Sequence, residues 1–273
     1  PLGTIAAAAL MYEGKSVASL SEITDEQRRH YLADARKTAL AAPLEFVNLH
    51  FIISGVTRGF THQMVRQRTA TYTQESTRFA VKEEVPVGYP PSLDGTLPWK
   101  DWVAKCAKDL FPGGWGLDSY SEGTRVINDY AATSASQAQL WRREWDECVG
   151  EIDGTYNALV NAGMPAEDAR GLLPTNLLTR INYNTSLRGL QEHAGLRLCT
   201  QAQFEWRIVW MRILDAIREF GKTCRYRKPE DSEERWEHNS AWQFEELATI
   251  FKPICYYRGR CQFNADVDRA CKI

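Results

Sequence analysis

Hydrophobic and polar positions alternate along this chain in runs that predict a mixed helix and strand architecture. Thr24-Asp25-Glu26-Gln27 has the form of a capping box, in which the Thr hydroxyl accepts from a first-turn amide and Gln27 reaches back. A helix starts there. Tyr31, Leu32, Ala35, Ala39 and Leu40 follow at near-helical spacing, with Arg28, Arg29, Asp34, Arg36 and Lys37 on the polar face and Pro43 as the stop. Next, Phe46 to Ser54 sets Leu49, Phe51 and Ile53 against His50 and Ile52, the pattern of a largely buried strand closed by Gly55.

Val56 to Arg68 reads as a second helix, in which Gln63, Arg66 and Gln67 share one face at i, i+3 and i+4. Prolines and glycines from Val81 to Tyr120 cannot sustain long regular elements and predict an excursion or insertion. Helix-compatible sequence resumes from Glu122 to Asn161. Pro165 opens a short helix to Leu172, ended by Pro174. Thr185 or Ser186 caps a further helix carrying Leu187, Leu190, Ala194 and Leu198, and another helix follows over Ala202 to Phe220. No internal repeat or low-complexity tract is present.

Composition narrows the class. The 273 residues are 44% hydrophobic, enough for a stable globular core. Net charge is only −2, so a phosphorylated ligand must be held by local Arg and Lys clusters and not by an overall basic field. The longest apolar stretch, around Leu44 to Val56, is broken by Asn48 and His50 and is too short to cross a bilayer. The start, Pro1-Leu2-Gly3-Thr4, has no initiator Met and no basic region, which suggests a trimmed start and not a signal peptide. Seven cysteines without a dense even framework favour reduced thiols and a cytoplasmic location. Cys224, Cys255, Cys261 and Cys271 contain no Cys-x-x-Cys pair, so ordinary thiols are the better reading than a zinc site. His50, His62 and His193 lack partners at ligand spacing, and no metal is assigned.

The densest polar run is R-Q-R-T-A-T-Y-T-Q-E-S-T-R from Arg66 to Arg78. Guanidinium forks there suit phosphate, while hydroxyls and amides suit a sugar and a base edge; a solvated helix end and polar loop is the bland alternative. This run resembles the signature of the flavin-dependent thymidylate synthases, R-H-R-x-x-S-x-N-E-x-S-x-R-Y. Arg66, Arg68, Ser76 and Arg78 match, with Gln67 for His, Thr71 for Ser, Thr73 and Gln74 for Asn-Glu, and Phe79 for Tyr.

Further segments carry the same resemblance. Pro43-Leu44-Glu45 is similar to T-P-x-E, with Ala42 for Thr, and A-R-G-L-L-P from Ala169 is similar to A-R-x-x-L-P. Ser186-x-Arg188, Glu192, Leu196-Arg197 and Gln203-x-Glu205 fall on the spacing of the family's N-x-R, x-L-R and Q-x-E elements, and Gln201 stands where the family has His.

The resemblance implies an α/β (α+β) fold, helices packed around a twisted sheet, as one domain over 1–273 with an insertion near 81–120 and a C-terminal extension near 221–273. It also implies a homotetramer with shared active sites. The implied activity is reductive methylation of dUMP to dTMP with FAD, NADPH and methylenetetrahydrofolate. Arg197 is the implied catalytic residue, stabilising charge on the uracil. Gln63, Arg66, Gln74, Glu75, Ser76, Thr77, Arg78 and Arg170 are the implied nucleotide contacts. Ala42, Glu45, Arg66, Gln67, Arg68, Gln74, Ser186, Arg188 and Glu192 are the implied flavin contacts.

Two replacements bear on the flavin. Gln67 cannot take the positive charge a His can, and Glu192, where the family has Asn, places an acid near the cofactor, disfavouring negative charge on it. No Cys follows a Pro, which fits a mechanism without a thiol nucleophile. The competing readings are another pyrimidine substrate or a hydroxymethyl product, decided by Gln74, Glu75 or Glu192; a non-catalytic relative; and a single-strand nucleic-acid binder stacking bases on Tyr72 and Phe79. The near-neutral charge counts against the last.

Overall fold

The computed structural model describes residues 1–37, 41–90, 93, 135–198, 202–223, 226–227, 236–237 and 241–258. Ala39, Leu40, Gln201, most of the 81–120 segment, most of the tail after 221, and Cys106, Cys199, Cys224, Cys261 and Cys271 lie outside them. The fold mixes α-helices with a three-stranded sheet of order β1-β3-β2 and a two-stranded antiparallel ribbon. The strands are β1 (Asn48–Thr57), β2 (Ala70–Gln74), β3 (Leu178–Ser186), β4 (Tyr226–Arg227) and β5 (Trp236–Glu237). The helices are α1 (Leu2–Tyr12), α2 (Asp25–Lys37), α3 (Arg58–Met64), α4 (Ala135–Asn161), α5 (Ala166–Ala169), α6 (Leu187–Arg197), α7 (Phe204–Thr223), α8 (Ala241–Ala248) and α9 (Ile254–Arg258). Two compact units divide the chain, one formed by 1–51 with 184–270, the other built on 52–183, so the boundary falls within β1 and β3.

In the first unit the capping box closes as its sequence requires. The Thr24 N–H donates to Gln27 Oε1 at 2.9 Å and the Gln27 N–H donates to Thr24 Oγ1 at 3.2 Å. Helix α2 packs on α1, where Ala6 and Leu10 join Ile23 and Tyr31 in one apolar cluster. Helix α7 buries Trp206, Val209, Trp210, Ile213, Leu214 and Ile217, a stripe at helical period that makes it the main core helix of this unit. It packs against α8 so closely that a Cβ on Gly221 would lie 2.6 Å from Phe244 Cβ.

The second unit holds α3, β2, α4 and α5. Val85, Tyr156, Ala169 and Leu177 form its apolar cluster, and Phe60 and Met64 are fully buried. The first residues of the expected insertion are not an excursion. Val85 N–H donates to Asp153 Oδ1 at 2.9 Å, Asn157 Nδ2 to the Glu83 carbonyl at 3.2 Å, and Gly88 N–H to the Asn176 carbonyl at 2.8 Å. This stretch is a strap along α4 and the start of β3.

Three expectations change. Strand β1 continues through Gly55, which takes φ +73 within it, and ends at Thr57. It is not largely buried: Ile52 is 72% exposed and only Val56 is buried, because β1 lies at one side of the sheet with β3 as its one neighbour. Helix α3 is shorter than its apolar pattern suggests. Thr57 Oγ1 caps it by accepting from Phe60 N–H, and it stops at Met64, so Arg66 and Gln67 occupy the following turn and do not share a helical face with Gln63.

Candidate functional site

The polar run from Arg66 to Arg78 is a turn, the strand β2 and a second turn. Strand β2 was hidden in the sequence because its residues, Ala-Thr-Tyr-Thr-Gln, carry only one large apolar side chain. That side chain, Tyr72, stacks on Tyr183 of β3 with ring centroids 5.4 Å apart and planes 10° apart. The Tyr72 hydroxyl donates to the Met64 carbonyl at 2.9 Å and the Gln67 carbonyl at 3.3 Å, and burial pushes its pKa up to about 12. Tyr72 is therefore not available as a platform for bases, whereas Phe79 is 83% exposed.

Gln67 is held from inside. The fully buried Tyr183 donates its hydroxyl to Gln67 Oε1 at 2.7 Å, and Gln67 Nε2 reaches Thr69 Oγ1 at 3.4 Å. Gln74 is fixed similarly: its Nε2 donates at 2.8 Å to Thr61 Oγ1, whose own proton goes to the Arg58 carbonyl at 3.1 Å. Arg66 lies exposed, with one guanidinium nitrogen 3.1 Å from His62 Nε2, and Arg68 is exposed beside it. Gln63 is partly buried on α3.

Glu75 turns away from solvent. Its Oε1 meets Lys82 Nζ at 2.8 Å, its Oε2 lies 3.9 Å from Arg180 Nε, and its backbone N–H donates to the Arg180 carbonyl at 3.1 Å. Its carboxylate is thus an internal anchor of the loop, in contrast to its expected place as a base-reading group. Beyond it, Ser76 Oγ accepts from the Arg78 N–H at 3.2 Å, and Thr77 is buried.

Arg78 and Arg170, 92 positions apart, converge on Glu167. Arg78 Nε lies 2.8 Å from Glu167 Oε1 and its NH2 donates to Oε2 at 3.0 Å, a two-pronged grip. Arg170 donates Nε to the Glu167 carbonyl at 3.0 Å and brings NH2 to 3.9 Å from Oε1. Sequence reasoning missed Glu167, although its i, i+3 spacing from Arg170 was a signal. It missed Tyr183 as well, although Thr179, Ile181, Tyr183 and Thr185 alternate as the buried face of β3.

The remaining residues belong to the first unit. Ser186 caps α6 by accepting from the Gly189 N–H at 3.1 Å, and the Leu187 N–H donates to the Val47 carbonyl at 2.7 Å. Arg188, in the first turn, bridges Glu45 Oε1 at 2.7 Å and Glu192 Oε1 at 3.1 Å. Those hydrogen bonds, first to Glu192, raise its pKa, and they compensate the Glu192 charge locally. Ala42 lies on the short 3-10 segment that also carries Glu45.

Arg197 ends α6 with its guanidinium 4.8 Å over the Trp206 ring, and burial lowers its pKa. One turn earlier, His193 is buried edge-on against Trp206 at 4.8 Å. Burial, with the Arg197 charge second, pushes its pKa down to about 3. His193 is therefore a neutral core residue. Among the described residues no group of side chains has the make-up of a metal site, and no helix is long and apolar enough to cross a membrane.

Comparison with known proteins identifies the family of the chain. Residues 3–220 match the family model described as thymidylate synthase complementing protein. The flavin-dependent thymidylate synthase of Pyrococcus furiosus is 30% identical over 219 residues, 80% of this chain and 74% of that protein. The proteins of the same name from Sulfolobus acidocaldarius and Geobacter sulfurreducens are 28% and 29% identical over 200 and 175 residues, covering 72% and 64% of this chain and 60% and 58% of theirs. With a match that spans most of its length, the chain belongs to the thymidylate synthase complementing protein family.

Proposed function

We infer that this chain is a flavin-dependent thymidylate synthase, an enzyme that methylates dUMP to dTMP. The observation that carries the reading is the meeting of Arg78 and Arg170, two guanidiniums distant in sequence, at one anionic group, which supports a shared hold on a phosphate monoester. Ser76, Thr77, Gln63 and Gln74 supply hydroxyls and amides for the sugar and the base, and the internal ties of Glu75 and Gln74 keep that loop in one shape. Positioning of this kind is the larger part of what the protein contributes.

The donor set fits FAD. Arg66 and Arg68 are exposed and free of acidic neighbours within their turn, which suits a pyrophosphate, and Gln67 presents an amide whose oxygen is already engaged by Tyr183. The resemblance assigns flavin contacts to Ala42, Glu45, Ser186, Arg188 and Glu192 of the first unit as well. When bound, reduced FAD supplies reducing equivalents that come from NADPH, while methylenetetrahydrofolate supplies the carbon. Arg197 keeps its charge at neutral pH because a guanidinium is so basic, and it stabilises negative charge on the uracil as the N3 proton leaves. Neutral His193 beside it adds no second positive charge.

The exposed apolar residues Ile52 on β1 and Phe46 just before it favour burial by further copies of the chain, consistent with a homotetramer whose sites are completed between subunits. The decisive experiment is the visible spectrum of the purified protein supplemented with FAD, titrated with dUMP. Flavin bands that shift on dUMP addition, followed by dTMP formation with NADPH and methylenetetrahydrofolate, are expected. A protein that takes up neither FAD nor dUMP would refute the assignment.

A further inference from the structure

We propose that Glu167 is a built-in competitor for the nucleotide phosphate and makes the site selective for monophosphates over di- and triphosphates. The proposal rests on the reading that Arg78 and Arg170 hold that phosphate. Glu167 occupies the fork of Arg78 with both carboxylate oxygens, at 2.8 and 3.0 Å, the same two-pronged geometry a phosphate would take. Arg170 stands at the back of the same carboxylate, its NH2 3.9 Å from Oε1. A phosphate gripped by both arginines must therefore displace the carboxylate from Arg78.

The displacement is easy by design of the surroundings. Side-chain exposure is 48% for Arg78, 50% for Glu167 and 39% for Arg170, so the pair is open to solvent and held weakly. Dislodged, the carboxylate cannot go far. The Glu167 carbonyl is bound by Arg170 Nε at 3.0 Å, and its backbone belongs to α5, where the Asp168 and Ala169 N–H groups donate to the Pro165 carbonyl. The negative charge thus stays within a few ångströms of the bound phosphate. One dianionic phosphate shared by two guanidiniums tolerates that neighbour; a β- or γ-phosphate brings further negative charge toward the same carboxylate and is repelled by it.

The test is equilibrium binding of dUMP, dUTP and inorganic phosphate to the full chain and to Glu167→Gln, loaded with FAD where it binds, at one fixed ionic strength. Removing a weak exposed competitor and its residual repulsion should tighten dUMP by about threefold to tenfold. It should tighten dUTP by more, so that the preference for dUMP over dUTP shrinks, and inorganic phosphate should follow dUMP. Glu167→Asp, one methylene shorter, should weaken the grip on Arg78 while keeping the charge. It should therefore tighten dUMP yet preserve discrimination against dUTP. Unchanged or weaker dUMP binding in Glu167→Gln, with an unaltered melting temperature, would overturn the proposal and make Glu167 a strut that holds the two arginines. Failure of the unmodified protein to bind dUMP at all would instead refute the underlying nucleotide reading.

Discussion

The hydroxyl of Tyr183 donates to Oε1 of Gln67 across 2.7 Å, tying a fully buried ring on β3 to the position at which flavin-dependent thymidylate synthases carry a histidine. The bond sets the amide orientation, because a tyrosine hydroxyl that donates requires the oxygen of Gln67 and not its nitrogen. Tyr183→Phe keeps the stack on Tyr72 and deletes this one donor. It should cost about 1–3 kcal/mol in denaturant unfolding, since the hydrogen bond from a fully buried ring to Gln67 is lost, and should weaken FAD binding as the amide loses its tie to β3. Equal FAD affinity in the variant would show that the orientation of Gln67 does not matter to the cofactor.

Because Gln67 does not titrate, its contribution to FAD binding should be constant across about pH 5.5–7.5. Gln67→His should introduce a pH dependence, with tighter binding on the acid side where the side chain would offer an imidazolium to the anionic cofactor. Parallel pH profiles of FAD affinity for both proteins would contradict this.

His193 links the fold to pH in a definite direction. Its folded pKa, down to about 3, lies below the ordinary value of 6.5, so between these the unfolded chain binds a proton that the folded chain does not. Stability is full above pH 6.5 and declines as pH falls, by about 1.4 kcal/mol for each unit below the unfolded pKa from this residue alone. His193→Phe, which keeps an aromatic edge for Trp206 and Trp210, should flatten the acid limb of a plot of unfolding free energy against pH between about 6 and 4. An acid limb as steep as before would remove His193 from the account.

Ser186 holds the start of α6, the helix that carries Arg188, Glu192 and Arg197. Ser186→Ala deletes the cap to Gly189 and should cost about 1 kcal/mol of stability. Ser186→Asp should restore most of it, as a carboxylate serves the same amide and favours the helix N-terminus. Both are read by thermal or denaturant melts.

Gly221→Ala should destabilise by about 1–3 kcal/mol, since the added methyl falls 2.6 Å from Phe244 Cβ, where α7 and α8 touch. The double variant with Phe244→Gly, which removes the Cβ, Cγ and Cδ2 atoms at 2.6, 2.8 and 2.9 Å, should lose less than the sum of the two single changes, and strict additivity would mean that the helices simply move apart.

Elements announced by caps and periodic apolar faces were legible in the sequence. Thr24 and Gln27 close the box their spacing implies, Ser186 caps α6, and α7 buries one stripe. Strands were legible less well. Strand β2 is made of small polar residues whose pairing is decided by Tyr183 on another strand, and β3 sat inside a segment read for its arginines. The end of α3 at Met64 follows from the tertiary bonds that Tyr72 makes to the Met64 and Gln67 carbonyls, which no local pattern encodes. In the candidate site, residue types were readable but their pairings were not. That Glu75 would face Lys82, or that Arg78 and Arg170 would share Glu167, depends on contacts between distant segments.

The strap from Val81 to Tyr89 makes α4 answer to a segment far from it in sequence. Tyr89 donates its hydroxyl to Asp146 Oδ1 at 2.7 Å and lies under the Arg142 guanidinium at 3.4 Å, so the strap is stitched to α4 there. Val85 N–H and the Glu83 carbonyl bind Asp153 and Asn157 further along the same helix. Fixed at two levels of α4, the strap and the helix gain and lose order together, so local opening of α4 would also release the chain that leads back to the Arg78 turn.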